Sequence, residues 1–401
     1  MPGMQNTPST QKQFYFLTFT HTVLDSYATL LSHLLPLLLT KLVTTAARNS
    51  FAGTLVSLYS VFSSLGQILF GWLSDRVRTV HFLTFGVFFT AVCLSLLGLA
   101  PSKLIVYLLL AVGGLGVAAF HPQATTYAGA LAAEGRGLGT SIFLTGGNVG
   151  RALGPLALMA IPYRFGLESL AWGMILGVIV ALFVPKVFRD ASHFNVSVDD
   201  DDREVGAPLP PLRKHILLPL TVLFIIAAFR TVTAVGLESF LSIYLDNQDY
   251  PDQTRSFIIA LFIFAGSVGI MGGGWLSNRV NTYVLLLFSL LGAPPLLYAS
   301  LHTDGALFLI FLFLGNVILA SSITINIVLA QMLLRGRENI ASSLMMGAAW
   351  GVGGLLNKLV GVLGDRFGLP IVLDGLVMLP LLMAPLLIML RDEPDLSKPP
   401  K

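Results

Sequence analysis

Charged residues are scarce in this sequence: Asp, Glu, Lys and Arg make up 11% of the 401 residues, whereas soluble globular proteins carry about 25%. Hydrophobic residues make up 55%, so water is not the main solvent of the chain. Apolar runs of about 20 residues can cross a bilayer as helices, and irregular backbone cannot face lipid because its polar groups would stay unpaired. The composition therefore argues against a soluble enzyme and predicts an all-α membrane protein embedded in the lipid bilayer.

Other shortages exclude further classes of protein. The single cysteine, Cys93, lies in an apolar run, so no disulfide framework or cysteine-based zinc site is available, and we expect neither metal nor cofactor. The net charge of +3 is too small, and the basic residues too confined to loops, to predict nucleic-acid binding. The glycine-rich segments lack the Lys-Ser/Thr pair of a phosphate-binding loop, which argues against ATP. No nucleophile lies beside a base, so we do not expect an enzyme.

The sequence repeats itself. Gly71-Trp72-Leu73-Ser74-Asp75-Arg76-Val77 returns as Gly274-Trp275-Leu276-Ser277-Asn278-Arg279-Val280, 203 positions later (274 − 71). A second echo, Arg164-Phe165-Gly166-Leu167, returns as Arg366-Phe367-Gly368-Leu369 at an offset of 202 (366 − 164). Because chance similarity would not keep one offset, the chain is predicted to consist of two similar halves.

Each half is predicted to contain six membrane-spanning helices. The first six spans cover residues 15–40, 50–73, 80–99, 104–130, 138–162 and 167–187, and the second six cover 215–245, 255–277, 281–301, 305–333, 340–364 and 369–391. Between them a polar segment with four consecutive aspartates predicts a solvated linker. We therefore expect a six-helix bundle over residues 1–188, a linker over 189–214 and a pseudo-symmetric second bundle over 215–401.

Basic residues are distributed unequally between the two sides of the predicted topology. Fifteen lysines and arginines lie on the side of the termini and the linker, six lie on the other side, and three lie within spans. The positive-inside rule then places both termini and the linker in the cytoplasm.

Twelve spans in two halves, with a Gly-x-x-x-Asp-Arg loop after the second span and its echo after the eighth, resemble the major facilitator superfamily. The resemblance implies two bundles related by an axis along the membrane normal, a site between them near mid-bilayer, and alternating access. In that family the loop holds the outward-facing state. The resemblance therefore implies a conformational latch at Gly71, Asp75, Arg76, Asn278 and Arg279, with Asn278 replacing the second acid.

Within the superfamily, the fourth and fifth spans are similar to the fosmidomycin resistance proteins. The similar segments are Gly113-Gly114-Leu115-Gly116, Phe120-His121-Pro122-Gln123, Ser141-Ile142-Phe143, Gly146-Gly147-Asn148-Val149-Gly150 and Gly154-Pro155, and the first span adds His21-x-x-x-Asp25. Members of that family are proton-driven exporters of small drugs in the bacterial inner membrane, and the resemblance implies the same here. Relatives commonly have Glu at the position of Gln123, so another group must replace that acid if it takes part in proton coupling.

Four ionisable residues within spans are candidates for proton coupling: Asp25, His21, His121 and Glu238. His21 and Asp25 are four residues apart and share one helix face. A charge at mid-bilayer costs about 2.5–3.5 kcal/mol on insertion scales, so such residues usually face a cavity or a partner. A histidine, with an unperturbed pKa of about 6.5, could relay protons. The alternative for Asp25 and His121 is a structural hydrogen bond between helices.

Polar and basic residues within spans are candidates for substrate binding: Asn148, Arg151, Arg230, Lys358 and Gln123. A buried arginine is costly unless it meets an anion, and its forked donors match carboxylate or phosphonate groups. We expect Arg151 to bind an anionic substrate group or to pair with Asp25, and Lys358 to pair with Glu238 or to contact an anion. Gly146, Gly150 and Gly154, followed by Pro155, form a small-residue stripe that predicts close helix packing.

The expected function is proton-coupled export of a small, drug-like and perhaps anionic compound by a monomeric transporter. Two alternatives stay open. Proton-coupled uptake of an organic acid, sugar or peptide would use the same residue types. A sensor that has kept the fold but lost transport would have little reason to keep Asp25, Arg151 and Glu238 in lipid.

Overall fold

A computed structural model describes residues 8–43, 47–77, 80–131, 136–188, 216–277, 279–334, 341 and 343–390. The α-helices of these residues are α1 (Pro8–Ala28), α2 (Leu30–Leu42), α3 (Arg48–Ser60), α4 (Gly66–Val77), α5 (His81–Ser95), α6 (Lys103–Leu131), α7 (Arg136–Phe165), α8 (Met174–Val187), α9 (Leu217–Asp246), α10 (Asp252–Ser277), α11 (Thr282–Leu301), α12 (Gly305–Leu333), α13 (Ala349–Phe367) and α14 (Leu369–Met383).

Several membrane spans contain irregular helical turns. Two segments are π-helical. Val61–Leu65 joins α3 to α4, and Ser343–Ala348 precedes α13. Tighter 3₁₀ turns follow α5 at Leu96–Leu99, precede α8 at Leu167–Gly173 and follow α14 at Ala384–Leu390. With these turns included, helical structure is found at each of the twelve predicted spans.

Eleven helical segments of the described residues are long and apolar enough to cross a membrane. Only α7, at the predicted fifth span, falls outside this set, because glycines, Asn148 and Arg151 interrupt its apolar sequence. The all-helical membrane fold predicted from composition is therefore confirmed.

The described chain forms two compact units. Residues 8–31 and 62–188 form the first unit, in which α1 packs along α7, and α5 packs against α6 and α8. Residues 32–61 and 216–390 form the second unit, in which α3 packs along α13, and α12 packs against α10 and α11. The predicted division into bundles 1–188 and 215–401 follows the sequence repeat and not these packing units, and it stays a prediction. The predicted linker, 189–214, lies outside the described residues.

The heptapeptide repeat ends two helices with similar surroundings. Gly71 of α4 lies against Pro122 of α6, and Gly274 of α10 lies against Thr324 of α12. Arg279 follows α10 and places its guanidinium carbon 3.8 Å from the ring centre of Trp275. The side chains of the other latch candidates, Asp75, Arg76 and Asn278, lie outside the described residues.

Candidate functional site

Three ionisable side chains meet inside the first unit. His21 and Asp25 lie one turn apart on α1, and His121 reaches them from α6. Nε2 of His21 lies 3.3 Å from one carboxylate oxygen of Asp25, and Nε2 of His121 lies 3.3 Å from the other. His21 and Asp25 are 3% and 6% exposed. Both oxygens of one buried carboxylate therefore face histidine nitrogens, in an arrangement named here the His-Asp-His cluster.

Backbone carbonyls determine which nitrogen of each neutral histidine carries the proton. Nδ1 of His21 lies 3.0 Å from the carbonyl oxygen of Phe143, and Nδ1 of His121 lies 2.9 Å from that of Val117. A carbonyl oxygen only accepts hydrogen bonds, so both Nδ1 atoms carry the proton. In each neutral ring the lone pair is then on Nε2, the atom that faces Asp25.

Aromatic rings and a glycine fix the position of His21. Its ring stacks on Phe143 at 4.1 Å and lies edge-on to His121 at 5.2 Å between ring centres. A side-chain carbon at Gly147 of α7 would lie 2.6 Å from Nε2 of His21 and 2.8 Å from a carboxylate oxygen of Asp25. Residue 147 must therefore be glycine for the cluster to keep this geometry. Sequence reasoning gave Phe143 and Gly147 no role, although both belong to the segments that carried the family resemblance.

The His-Asp-His cluster can share small cations. One ligand atom from each of its three residues lies within 4.8 Å of the others, a spacing that suits a metal ion as well as protons. The contacts to Asp25 are at the outer limit of hydrogen-bond length, and each can hold one proton. The cluster is therefore a set of three bases joined by two proton-sharing contacts.

The remaining first-unit candidates lie near this cluster on α6 and α7. Arg151 is partly buried one turn after Gly147, and its carbonyl accepts a hydrogen bond from Thr29 at 2.9 Å. Asn148 is partly buried beside it, and Gln123 is buried with its amide 3.5 Å from the hydroxyl of Tyr127. Substrate binding by these three residues stays a prediction.

The glycine stripe of α7 lies against small residues of α1. The partners are Gly146 with Thr18, Gly150 with Thr22, and Gly154 with Ser26. A side chain at Gly150 would overlap the backbone oxygen of Thr22, and one at Gly154 would overlap the Ser26 side chain. Pro155 follows and is buried. The helix α1, which carries His21 and Asp25, thus packs closely against the backbone of α7.

The second unit carries the other three candidates. Arg230 is buried in the middle of α9, Glu238 is partly buried two turns later, and Lys358 is exposed on α13. Coupling by Glu238 and substrate binding by Arg230 and Lys358 stay predictions.

A chain of apolar spanning helices that encloses ionisable groups belongs to the class of polytopic membrane proteins. The sequence model of the Major Facilitator Superfamily matches residues 17–357, and the chain belongs to this superfamily. It is therefore a transporter and not an enzyme.

Two relatives cover most of the chain. The Fosmidomycin resistance protein of Escherichia coli (strain K12) is 30% identical over 373 residues, which are 91% of this chain and 89% of the relative. The Uncharacterized MFS-type transporter YfnC of Bacillus subtilis (strain 168) is 27% identical over 335 residues, 82% of this chain and 81% of that protein. The predicted similarity to the fosmidomycin resistance proteins is thus confirmed.

Solved structures share the fold at low sequence identity. A bacterial homolog of the human lysosomal transporter Spinster, in an inward-facing and occupied conformation, matches with a TM-score of 0.78 and 16% identity, covering 98% of this chain and all of that one. A D-xylose-proton symporter matches with a TM-score of 0.72 and 14% identity, covering 92% and 96% of the two chains. These likenesses support the major facilitator fold.

Proposed function

We propose that this transporter exports small drug-like compounds in exchange for protons, by alternating access. The observation that carries the proposal is the His-Asp-His cluster, a buried carboxylate between two histidines whose Nε2 atoms both face it. The name of the Escherichia coli relative, the Fosmidomycin resistance protein, supports export of a drug.

The number of protons decides how many contacts the cluster makes. With no proton on Asp25 or either Nε2, the cluster carries a charge of −1. In both contacts a lone pair of Nε2 then faces a lone pair of a carboxylate oxygen. One proton neutralises the cluster and completes one hydrogen bond, and a second proton completes both and leaves a charge of +1. A buried polar contact without its proton costs about 1–3 kcal/mol. Loss of protons therefore weakens the attachment of α1 to α6.

This dependence couples protonation to conformation. Because His21 and Asp25 lie on α1 and His121 lies on α6, a change of proton number alters how firmly these helices are joined. A conformation that separates them favours the deprotonated cluster, and one that joins them favours the protonated cluster. Glu238 is the second candidate proton carrier, and Asn148, Arg151, Gln123 and Lys358 are candidates for contacting the compound.

The same proposal includes the membrane in which the protein acts, its topology and its oligomeric state. It acts as a monomer in the bacterial inner membrane, with both termini and the 189–214 linker in the cytoplasm, as the distribution of basic residues supports. Its two sequence halves rock about a central site, and Gly71, Asp75, Arg76, Asn278 and Arg279 form the latch on the cytoplasmic side.

Proton movement in proteoliposomes tests the proposal. The purified protein is reconstituted with an internal pH dye, and phosphonates, lipophilic drugs and small organic acids are added in turn to wild type, Asp25→Asn and Arg164→Gln. Arg164 is exposed and stacks on Phe165, so its variant serves as the matched control. We expect a compound-driven proton flux in wild type and the control, opposite in direction to the compound, and its loss in Asp25→Asn. Equal flux in Asp25→Asn would contradict the role of the cluster, and flux in the same direction as the compound would indicate uptake.

A further inference from the structure

Arg230, in the middle of α9, is a buried cation whose donors are largely unused. The residue is 1% exposed. Its Nη2 donates to the hydroxyl of Thr231 at 3.2 Å, whereas Nε and Nη1 have no hydrogen-bond partner in the described part of the chain. Within the same residues no carboxylate forms a salt bridge with Arg230. An arginine has five N–H donors and stays charged at physiological pH.

Such a group weakens the fold in which it lies. A buried charge without a partner is strongly unfavourable, and each buried donor without an acceptor adds to the penalty. Aliphatic side chains of similar volume could fill the position without that penalty. The guanidinium therefore needs a partner other than the described residues, and a bound compound can supply it.

Further unsatisfied polar atoms lie on the helices that pack against α9. Asn326 of α12 is 1% exposed and neither atom of its amide has a hydrogen-bond partner in the described residues. Asn357 of α13 is fully buried; its Nδ2 donates to the Gly353 carbonyl at 3.0 Å, but its Oδ1 is left without a donor there. Buried amide groups usually have all their hydrogen-bond partners. The amide atoms of Asn326 and Asn357 that lack one are therefore unsatisfied in the same way as the donors of Arg230.

The unsatisfied oxygen of Asn357 belongs to the same helix contact as the partner of Arg230. Thr231, which accepts from Arg230, packs against Gly353 of α13, where an added side-chain carbon would lie 2.7 Å from Thr231 Cβ. One turn further along both helices, such a carbon at Gly236 would lie 2.8 Å from Oδ1 of Asn357. Arg230 thus donates to Thr231 at the α9–α13 contact, and the unsatisfied Oδ1 of Asn357 lies about one turn further along the same contact.

We propose that Arg230 is an anion-binding residue and that the compounds carried are small organic anions whose charged group presents two or three oxygens. This inference rests on the proposed transport function and names its substrate class. The planar guanidinium matches such oxyanions with paired hydrogen bonds, and binding neutralises the buried charge. Asn357 accepts a hydrogen bond from a neutral polar group of the same compound. Neutral compounds of the same shape leave the charge unpaired and bind more weakly.

Equilibrium binding without a pH gradient separates this inference from proton coupling. The full-length protein in nanodiscs is titrated calorimetrically with benzoate, with phenylphosphonate and with neutral benzamide as the isostere. Wild type is expected to prefer the anions. Arg230→Gln is expected to lose about tenfold or more of its affinity for the anions, as removal of charged hydrogen bonds does, and to bind benzamide as wild type does. Arg230→Lys, which keeps the charge without the fork, is expected to lie between the two.

Two comparisons distinguish a ligand-binding arginine from a structural one. The control Arg366→Gln removes an exposed arginine that stacks on Phe367, and it is expected to bind all three probes like wild type. In the absence of ligand, Arg230→Gln is expected to melt at the same temperature as wild type or higher, because an unpaired buried charge has been removed. Anion affinity unchanged in Arg230→Gln, or a wild type that does not prefer the anions to benzamide, would overturn the proposal. Neither result would bear on the proton flux of Asp25→Asn, which tests the cluster in the first unit.

Discussion

Gly166 and Gly368, 202 positions apart in sequence (368 − 166), share a backbone φ of +88°. Gly166 follows α7 and Gly368 follows α13, with ψ values of 159° and 137°. In both places the glycine follows a phenylalanine, and the arginine directly before that phenylalanine stacks over its ring. The second sequence echo thus builds the same helix-ending turn twice, which shows that the repeat extends to backbone conformation.

Alanine at either glycine is expected to lower stability by about 1–3 kcal/mol, because only glycine adopts this backbone region without strain. No atom of the described residues lies within 4 Å of a side-chain carbon at Gly166, so the loss there would come from the backbone alone. Thermal unfolding in detergent measures it. Gly375→Ala in α14, which also meets no atom of the described chain within 4 Å but lies inside a helix, is the control and is expected to be neutral or slightly stabilising. Equal melting temperatures for Gly166→Ala and Gly375→Ala would contradict the strain.

Gly150→Ala is expected to destabilise the packing of α1 on α7. Its added methyl group would overlap the backbone oxygen of Thr22, which cannot rotate away as a side chain can, so the two helices must separate. Overpacking of this kind costs about 1–3 kcal/mol. The melting temperature and the yield of folded protein are the measurements. Gly272→Ala in α10, where the added carbon meets none of the residues that the structure describes within 4 Å, provides the comparison. The packing role of the glycine stripe would be wrong if both variants behaved alike.

The general fold could be predicted because its causes are visible in composition and spacing. Few charges and long apolar runs indicate spanning helices, and a fixed repeat offset indicates two similar halves. The packing of α3 along α13 could not be predicted in this way, since it joins residues about 300 positions apart and depends on small residues meeting across helices. Asp365, near the end of α13, accepts hydrogen bonds from backbone N–H groups at the start of α3, a contact that sequence spacing does not reveal.

The candidate site was predictable only along single helices. The four-residue spacing of His21 and Asp25 placed them on one face of α1, and His121 was recognised from its own sequence surroundings. Asp25 contacts both histidines only because α1 packs against α6, and sequence spacing carries no information about how two helices pack. The isolation of Arg230 is likewise a property of packing, because only the structure shows that no carboxylate of the described residues pairs with it.

Gly147→Ala is expected to abolish substrate-driven proton flux while leaving anion binding at Arg230 intact. The added methyl group would lie 2.6 Å from Nε2 of His21 and 2.8 Å from the Asp25 carboxylate, so it would push His21 and Asp25 apart. His21 cannot simply turn away, because its ring stacks on Phe143 and its Nδ1 is bonded to the Phe143 carbonyl. The proteoliposome assay measures the flux, and calorimetric titration with benzoate measures the binding. Normal flux in Gly147→Ala would show that coupling does not depend on this geometry.

Asp365→Ala is expected to let α3 separate more readily from α13. The Asp365 carboxylate accepts the backbone N–H groups of Asn49 at 2.9 Å and Ser50 at 2.7 Å, so it caps the first turn of α3 from the end of α13. Loss of a capping side chain costs about 0.5–2 kcal/mol, and a carboxylate at a helix amino end is further favoured by the helix dipole. Maleimide labelling of a cysteine at Ser50, in a Cys93→Ser background, measures the separation, and a loss of 1 kcal/mol corresponds to a rate increase of about fivefold. Asp374→Ala removes a partly exposed carboxylate 3.6 Å from His302 in the same unit, and such surface pairs contribute little, so its labelling rate should match the parent. Equal labelling of all three proteins would mean that the cap does not hold these helices together.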